Sequence, residues 1–160
     1  VGGLGDERMR HAVAAAGAGA VVMHMRGAPE TMQDDPRYED LLGEVSGVLA
    51  ARAAGALAAG VAPDAIAIDP GFGFGKTAGH NLELLRRLDE IAGLGFPVLV
   101  GLSRKATLGH LTGRAPGERL AAGVAAAALA VARGAAIVRT HDVRETADAI
   151  AVAAAVAARG

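Results

Sequence analysis

The sequence predicts an α/β protein whose strands lie parallel in one sheet. Short apolar runs begin near positions 21, 65, 97 and 135, and each gap between them has room for one helix. The runs do not alternate apolar with polar residues, which indicates strands covered on both faces, as in parallel sheets. The predicted order is αβαβαβαβα. On pattern alone, this order fits a doubly wound open sheet and a (β/α)8 barrel equally well.

The first two helices are predicted from their end signals and their apolar spacing. Asp6 is a candidate N-cap for a helix that reaches about Ala16. A strand follows at 21–23, and the segment 26–37 is a polar loop. The second helix is long and ends at Gly60. Apolar residues at steps of three or four predict its buried face: Leu42, Val45, Leu49, Ala53 and Ala56.

The second half of the chain repeats the alternation of strand and helix. Strands are predicted at 65–68, 98–100 and 136–138, with helices at about 81–93 and 118–133 between them. A short helical turn is expected within 106–114, and a last helix over 143–158. Asp142 followed by Glu145 predicts a capping box at the start of that last helix.

Composition limits the classes of function that are possible. The 160 residues are 52% hydrophobic, which predicts one domain with a real core. A formal charge of -1 argues against nucleic acid as a partner, and no spanning segment or basic run indicates a membrane partner. The chain has no cysteine, which excludes disulfides and thiolate metal sites and fits the reducing cytoplasm.

Two polar loops directly follow predicted strands. DPGFGFGK at 69–76 places the carboxylate of Asp69 at a strand end, and two of the four aromatic residues, Phe72 and Phe74, lie among its glycines. GLSRK at 101–105 brings a hydroxyl group and two cations to the end of the next strand. Parallel α/β enzymes bind ligands at this edge of the sheet. The sequence therefore predicts a ligand site here, although Phe72 is expected to pack beneath its loop.

Five segments together resemble dihydropteroate synthase. DPGFGFGK, the pair His80 and Asn81, and GLSRK match the core signatures of that family, while VMHMRGAPETMQ at 22–33 and RTHDV at 139–143 match its fifth and eighth strands. The resemblance implies a (β/α)8 TIM barrel with parallel strands. It identifies residues 1–160 as a partial pterin-binding domain, the C-terminal part with about four βα units, which lacks the N-terminal barrel strands.

The resemblance implies that 6-hydroxymethyl-7,8-dihydropterin diphosphate condenses with p-aminobenzoate, giving 7,8-dihydropteroate and pyrophosphate in folate biosynthesis. Lys105, Arg139 and His141 are the implied catalytic residues, with Lys105 between the two substrates and the other two at the pyrophosphate. The same three residues also bind substrate. The other implied substrate-binding residues are Met23, Asp69, Phe74, Gly101 and Ser103.

Several implied features stay open at this point. The family uses Mg²⁺, but its asparagine ligand has no counterpart in this chain, so no metal ligand is predicted. Ala106 replaces the serine that anchors the aminobenzoate carboxylate in many members. A homodimer is expected, since a partial barrel has open strand edges, and the chain alone is expected to lack turnover. The alternatives are another pterin-binding barrel of the methyltetrahydrofolate methyltransferase type, or an inactive half-barrel that binds pterin or a partner chain.

Overall fold

Four parallel strands form one sheet in the computed structural model, which describes residues 3–157. The spatial order is the chain order, and every neighbouring pair is parallel. This arrangement confirms the predicted α/β class and the four strand-helix units. The strands are β1 (Ala20–Met23), β2 (Ile66–Asp69), β3 (Val98–Val100) and β4 (Ala135–Val138).

Helices fill the connections between successive strands, as the gaps in the sequence predicted. The first begins after Asp6, whose carboxylate accepts a hydrogen bond from the amide of Arg8 at 2.9 Å, so the predicted N-cap is confirmed. The helices are α1 (Glu7–Ala15), α2 (Leu41–Ala58), α3 (Ala78–Arg86), α4 (Leu88–Ala92), α5 (Ala106–Thr112), α6 (Leu120–Ala132) and α7 (Val143–Ala157). Three single 3-10 turns lie at Gly3–Gly5, Pro63–Ala65 and Pro116–Glu118.

The core lies between the sheet and the helices on one of its faces. Alternate strand residues such as Val22, Ile68 and Val100 are at most 1% exposed and belong to this core. On the opposite face, Val21 of β1 and Ile137 of β4 are 46% and 40% exposed. Among the described residues, the opposite face therefore exposes apolar side chains on the two outer strands.

Helix α2 is long and apolar enough to cross a membrane when judged by length and composition alone. In the structure it is a core helix, because it contacts β1 and β2 through one face. The buried residues of that face are those predicted from the spacing: Leu42, Val45, Leu49, Ala53 and Ala56.

One predicted helix start and one predicted helix cap are wrong. The helix expected from Asn81 begins at Ala78, because Thr77 and His80 form a reciprocal capping box with hydrogen bonds of 3.1 and 3.2 Å. The same segment is divided at Arg87, whose φ of -112° and ψ of 30° separate α3 from α4. The capping box expected at the start of α7 is replaced by an ion pair, since the carboxylate of Asp142 accepts hydrogen bonds from Arg104.

Candidate functional site

The carboxyl ends of all four strands lie along one edge of the sheet. Pairing of β1 with β2 sets Met23 opposite Asp69, and the amide of His24 donates to the carbonyl of Asp69 at 2.9 Å. Beyond β4, the amide of Arg139 donates to the carbonyl of Val100 at 2.8 Å. Strand pairing thus brings the residues that follow each strand together, as the sequence predicted for this edge.

Asp69 is held by the glycine loop that follows it. Its Oδ1 accepts a hydrogen bond from the amide of Gly71 at 2.7 Å. Gly71 has φ of +73°, and a Cβ at this position would collide with the carbonyl oxygen of His24. A residue other than glycine would therefore be strained and would push the loop away from β1.

Burial dominates the electrostatics of Asp69, which is 5% exposed. Desolvation raises the pKa of its carboxyl group, while the Gly71 amide and the nearby cations Arg139, Lys105 and Lys76 oppose that increase. A buried carboxylate with three cations around it is an acceptor for ligand N–H groups. Asp69, at the carboxyl end of β2, is therefore suited to bind the N–H groups of a polar heterocycle.

The two phenylalanines of the glycine loop have different environments. Phe72 is 2% exposed and belongs to the core, as the sequence predicted. Phe74 is half-buried, and Nζ of Lys105 lies 4.4 Å from its ring centroid, which is a cation-π contact. Burial lowers the pKa of Lys105, and Arg139 lowers it further, whereas Asp69 opposes the change. This contact joins the two polar loops.

Ser103 and His141 meet across the ends of β3 and β4. Nδ1 of His141 lies 3.1 Å from Oγ of Ser103, and the amide of His141 donates to the same oxygen at 3.3 Å. A Cβ at Gly101 would lie 3.0 Å from Nη2 of Arg139, so glycine allows the guanidinium to pass close to the backbone. Hydroxyl, imidazole and guanidinium groups together can bind an oxyanion.

Arginine contacts fix the second loop. Arg104 has a left-handed φ of 59°, and its Nη2 donates to the carboxylate of Asp142 at 2.7 Å. This ion pair raises the pKa of Arg104 and lowers that of Asp142. Arg119 adds hydrogen bonds of 3.0 and 3.3 Å to the carbonyls of Arg104 and Lys105. The loop after β3 is therefore attached both to the loop after β4 and to the start of α6.

The eight site residues predicted from the sequence line two neighbouring cavities that share Arg139. One cavity, of about 560 Å³, is mostly apolar and is lined by Met23, Asp69, Phe74 and Arg139 among others. The other, of about 320 Å³, is lined by Gly101, Ser103, Lys105, Arg139, Thr140 and His141. The structure thus brings together a mostly apolar cavity that contains the Asp69 carboxylate and a cationic cavity, with Arg139 lining both.

The sequence predicts no role for two buried polar residues. Lys76 is 3% exposed and lies beneath the glycine loop. Asn81 is 2% exposed, accepts from the amide of Gly73 at 2.9 Å and donates to Thr107 at 2.9 Å. A signal was present for Lys76, because the chain contains only two lysines and this one ends a glycine-rich loop after a buried strand.

A magnesium site does not fit the residues present. Between residues 3 and 157, no group of three or more histidine, aspartate and glutamate side chains lies close enough to hold a metal ion. The carboxylate of Asp69 is engaged by the Gly71 amide and is surrounded by cations. No step of the reaction is therefore assigned to a metal ion.

The sheet, its polar edge and the paired cavities define an α/β protein with a candidate ligand site at the carboxyl ends of its parallel strands. The sequence profile of the family described as pterin binding enzyme matches residues 1–141, so the chain belongs to this family. It has part of the family's (β/α)8 barrel fold.

Within that family, the chain is similar to dihydropteroate synthases. The enzyme of Neisseria meningitidis serogroup B is 55% identical over 141 residues, which are 86% of this chain and 50% of the relative. A Thermus thermophilus dihydropteroate synthase in complex with 6HMPPP is 51% identical, with a TM-score of 0.92 over 99% of this chain and 63% of that one. The same enzyme in complex with 4-aminobenzoate has a TM-score of 0.91 over 98% of this chain and 64% of that one. The chain thus spans about half the length of the curated relatives it matches.

Proposed function

We propose that this chain provides the pterin and pyrophosphate sites of a dihydropteroate synthase. The enzyme would condense 6-hydroxymethyl-7,8-dihydropterin diphosphate with p-aminobenzoate to form 7,8-dihydropteroate and pyrophosphate. The observation that carries the proposal is the pair of cavities joined by Arg139, with a buried carboxylate in one and an oxyanion site in the other. A pterin diphosphate has matching parts: a ring with N–H donors and a polyanion.

The pterin ring is assigned to the cavity that contains Asp69. The carboxylate oxygens would accept hydrogen bonds from the ring's amino and N–H groups, because an ionised carboxylate only accepts. Met23 and Phe74 line the same cavity and would contact the faces of the ring. Lys105 lies over the Phe74 ring, between this cavity and the other one, and would contact both substrates.

The diphosphate is assigned to the cavity of Gly101, Ser103, Arg139 and His141. Arg139 and His141 would neutralise the pyrophosphate as its C–O bond breaks and the bonding electrons leave with the oxygen. The lone pair of the arylamine would then form the C–N bond, and the nitrogen would lose a proton. Stabilising the leaving group is the main contribution of this half of the site, and no covalent enzyme intermediate is needed.

We further propose that residues 1–160 form the C-terminal part of a barrel domain and that preceding strands complete the site. The relatives support this proposal, because this chain covers about half of their length. Within residues 3–157, the outer edges of β1 and β4 have no partner strand, and exposed Val21 and Ile137 lie beside them. Open apolar edges favour association, so we propose a homodimer, which light scattering can test.

The absence of cysteine supports a cytoplasmic location.

Calorimetry on the 160-residue chain tests the assignment of the two cavities. We expect 6-hydroxymethyl-7,8-dihydropterin diphosphate to bind, and Arg139→Ala to weaken that binding about tenfold to a hundredfold by removing charge-assisted contacts. The same substitution at Arg8, an exposed residue of α1, is the control and should leave affinity unchanged. Absence of pterin diphosphate binding to the wild-type chain would contradict the proposed function.

A further inference from the structure

Lys76 is a buried cation that the proposed chemistry does not use. It is the last residue of the glycine loop, and its side chain turns back beneath that loop, where it is 3% exposed. Burial lowers its pKa to about 7, with Asp69 opposing the change. Lysine is rarely buried without partners, because the desolvation of its ammonium group is costly. Its position therefore needs an explanation.

Three acceptors surround its Nζ atom. Nδ1 of His24 lies at 2.8 Å, and the carbonyl oxygens of Gly71 and Phe74 both lie at 3.1 Å. An ammonium group has three N–H donors, so these three partners satisfy it completely. The pKa of His24 is lowered to about 4 by burial and by the nearby cations, chiefly Lys76 and then Arg52, which leaves the imidazole neutral and Nδ1 free to accept.

The two loop carbonyls keep their hydrogen bonds in either protonation state of Lys76. A neutral amine has two N–H donors and one lone pair. It can donate to Gly71 and Phe74 while it accepts from His24 in the tautomer that carries the proton on Nδ1. The attachment of the loop to Lys76 therefore does not depend on the charge of the amine.

The two bonded carbonyls belong to the residues that shape the pterin cavity. Gly71 also donates its amide to Asp69, and its carbonyl accepts from the amide of Phe74 at 3.0 Å. Phe74 in turn presents its ring to Lys105. Lys76 thus holds both ends of the turn from Gly71 to Phe74. The orientation of the Asp69 carboxylate relative to the Phe74 ring depends on that turn.

We propose that Lys76 is a positioning residue that fixes the glycine loop in its pterin-binding conformation by bonding the carbonyls of Gly71 and Phe74 from below, with His24 as its third partner. The proposal rests on the proposed function, since it concerns how that site recognises the pterin. Lys76 would act through Asp69 and Phe74 and would not touch the ring itself. The anion cavity lies on other loops, so its affinity should not depend on Lys76.

Lys76→Met tests the proposal, because methionine fills the same volume without a donor. We expect pterin diphosphate affinity to fall about tenfold to a hundredfold, while affinity for free pyrophosphate stays within twofold of wild type. Ala56→Gly, at the far end of α2, is the control for simple destabilisation and should leave both affinities unchanged. If Lys76→Met weakens both ligands equally, or neither, the positioning role is wrong.

Amide hydrogen exchange at the loop gives a second test that needs no ligand. We expect Lys76→Met to speed exchange at the amide of Phe74, which bonds Gly71, more than at the amide of Gly73, which bonds Asn81. Unchanged exchange at Phe74 would overturn the proposal even if pterin binds. If the wild-type chain does not bind pterin, the proposed function fails, and the exchange measurement still decides whether Lys76 fixes the loop.

A milder variant covers the case in which Lys76→Met does not fold. His24→Leu removes only one of the three partners and leaves both carbonyls bonded to Lys76. Its pterin affinity should fall by less than tenfold, again with pyrophosphate affinity unchanged. Wild-type pterin affinity in His24→Leu, together with wild-type exchange at Phe74, would contradict the role of this network.

Discussion

Replacing Asp69 by asparagine should weaken pterin binding while it stabilises the fold at neutral pH. Asparagine has almost the same shape, so the hydrogen bond from the Gly71 amide can be kept through its carbonyl oxygen. One acceptor oxygen becomes an NH₂ donor, which would face the N–H groups of the ring. Losing a charged hydrogen bond costs about 1.5–3 kcal/mol, so affinity should fall about tenfold to a hundredfold.

The stability effect has the opposite sign because the carboxylate is buried. Desolvation raises the pKa of Asp69 above its ordinary value, so the folded chain binds this proton more tightly than the unfolded chain does. The charge on Asp69 therefore costs stability as pH rises from its ordinary pKa through the raised one. Each pKa unit between the two states corresponds to about 1.4 kcal/mol. Above the raised pKa, Asp69→Asn removes this loss of folding stability. Below the ordinary pKa, the substitution has no such effect.

Urea denaturation at pH 4 and pH 8, together with calorimetry at pH 8, measures both effects. Asp64→Asn is the matched control, since Asp64 is exposed in the 3-10 turn before β2 and should change neither quantity. A variant with unchanged pterin affinity would remove Asp69 from the site. A variant that is less stable than wild type at pH 8 would refute the reasoning from desolvation, whatever its affinity.

Three further changes test the packing and charge of the structure. Leu49→Ala should cost about 3–5 kcal/mol in urea denaturation, because Leu49 is fully buried on α2 and leaves a cavity; a cost below about 1 kcal/mol would contradict the core described. Phe74→Leu should cost about 0.5–1 kcal/mol through the contact with Lys105, and a double-mutant cycle with Lys105→Met should show that coupling. Lys76→Met should remove a rise in wild-type stability between about pH 7 and pH 10, since the pKa of Lys76 is lowered to about 7 on folding; identical pH profiles for the two proteins would count against the lowered pKa.

The sequence predicted the strands and most of the helices because the physical signals for them are local. Apolar runs mark strands covered on both faces, and the spacing from Leu42 to Ala56 marks the buried side of α2. The errors lie where side chains compete for a partner. Asp142 has the right spacing for a cap, but Arg104 lies close in space, and a carboxylate binds a guanidinium group more strongly than it binds an amide.

For the candidate site, the sequence predicted the placement of the residues that follow strands but not that of the residues that support them. Asp69, Lys105 and Arg139 could be placed at one edge because strand ends in a parallel sheet converge, and because a family signature surrounds each residue. Lys76 and Asn81 act through hydrogen bonds to residues that are 2 to 52 positions away in the chain. Such contacts depend on how the loop folds back, which no local pattern in the sequence shows.

The register of β1 against β2 decides which side chains of β2 enter the core. Ile68 is fully buried towards the helices, while its neighbour Asp69 faces the opposite side at the carboxyl edge. A slip of one residue would reverse both side chains, placing a carboxylate in the apolar layer and an isoleucine in the open face. Such a mispaired chain would lose its core and the carboxylate that is proposed to bind the pterin. If the proposed pterin site is correct, the extent of pterin binding by a preparation also measures the fraction of molecules whose strands are correctly paired.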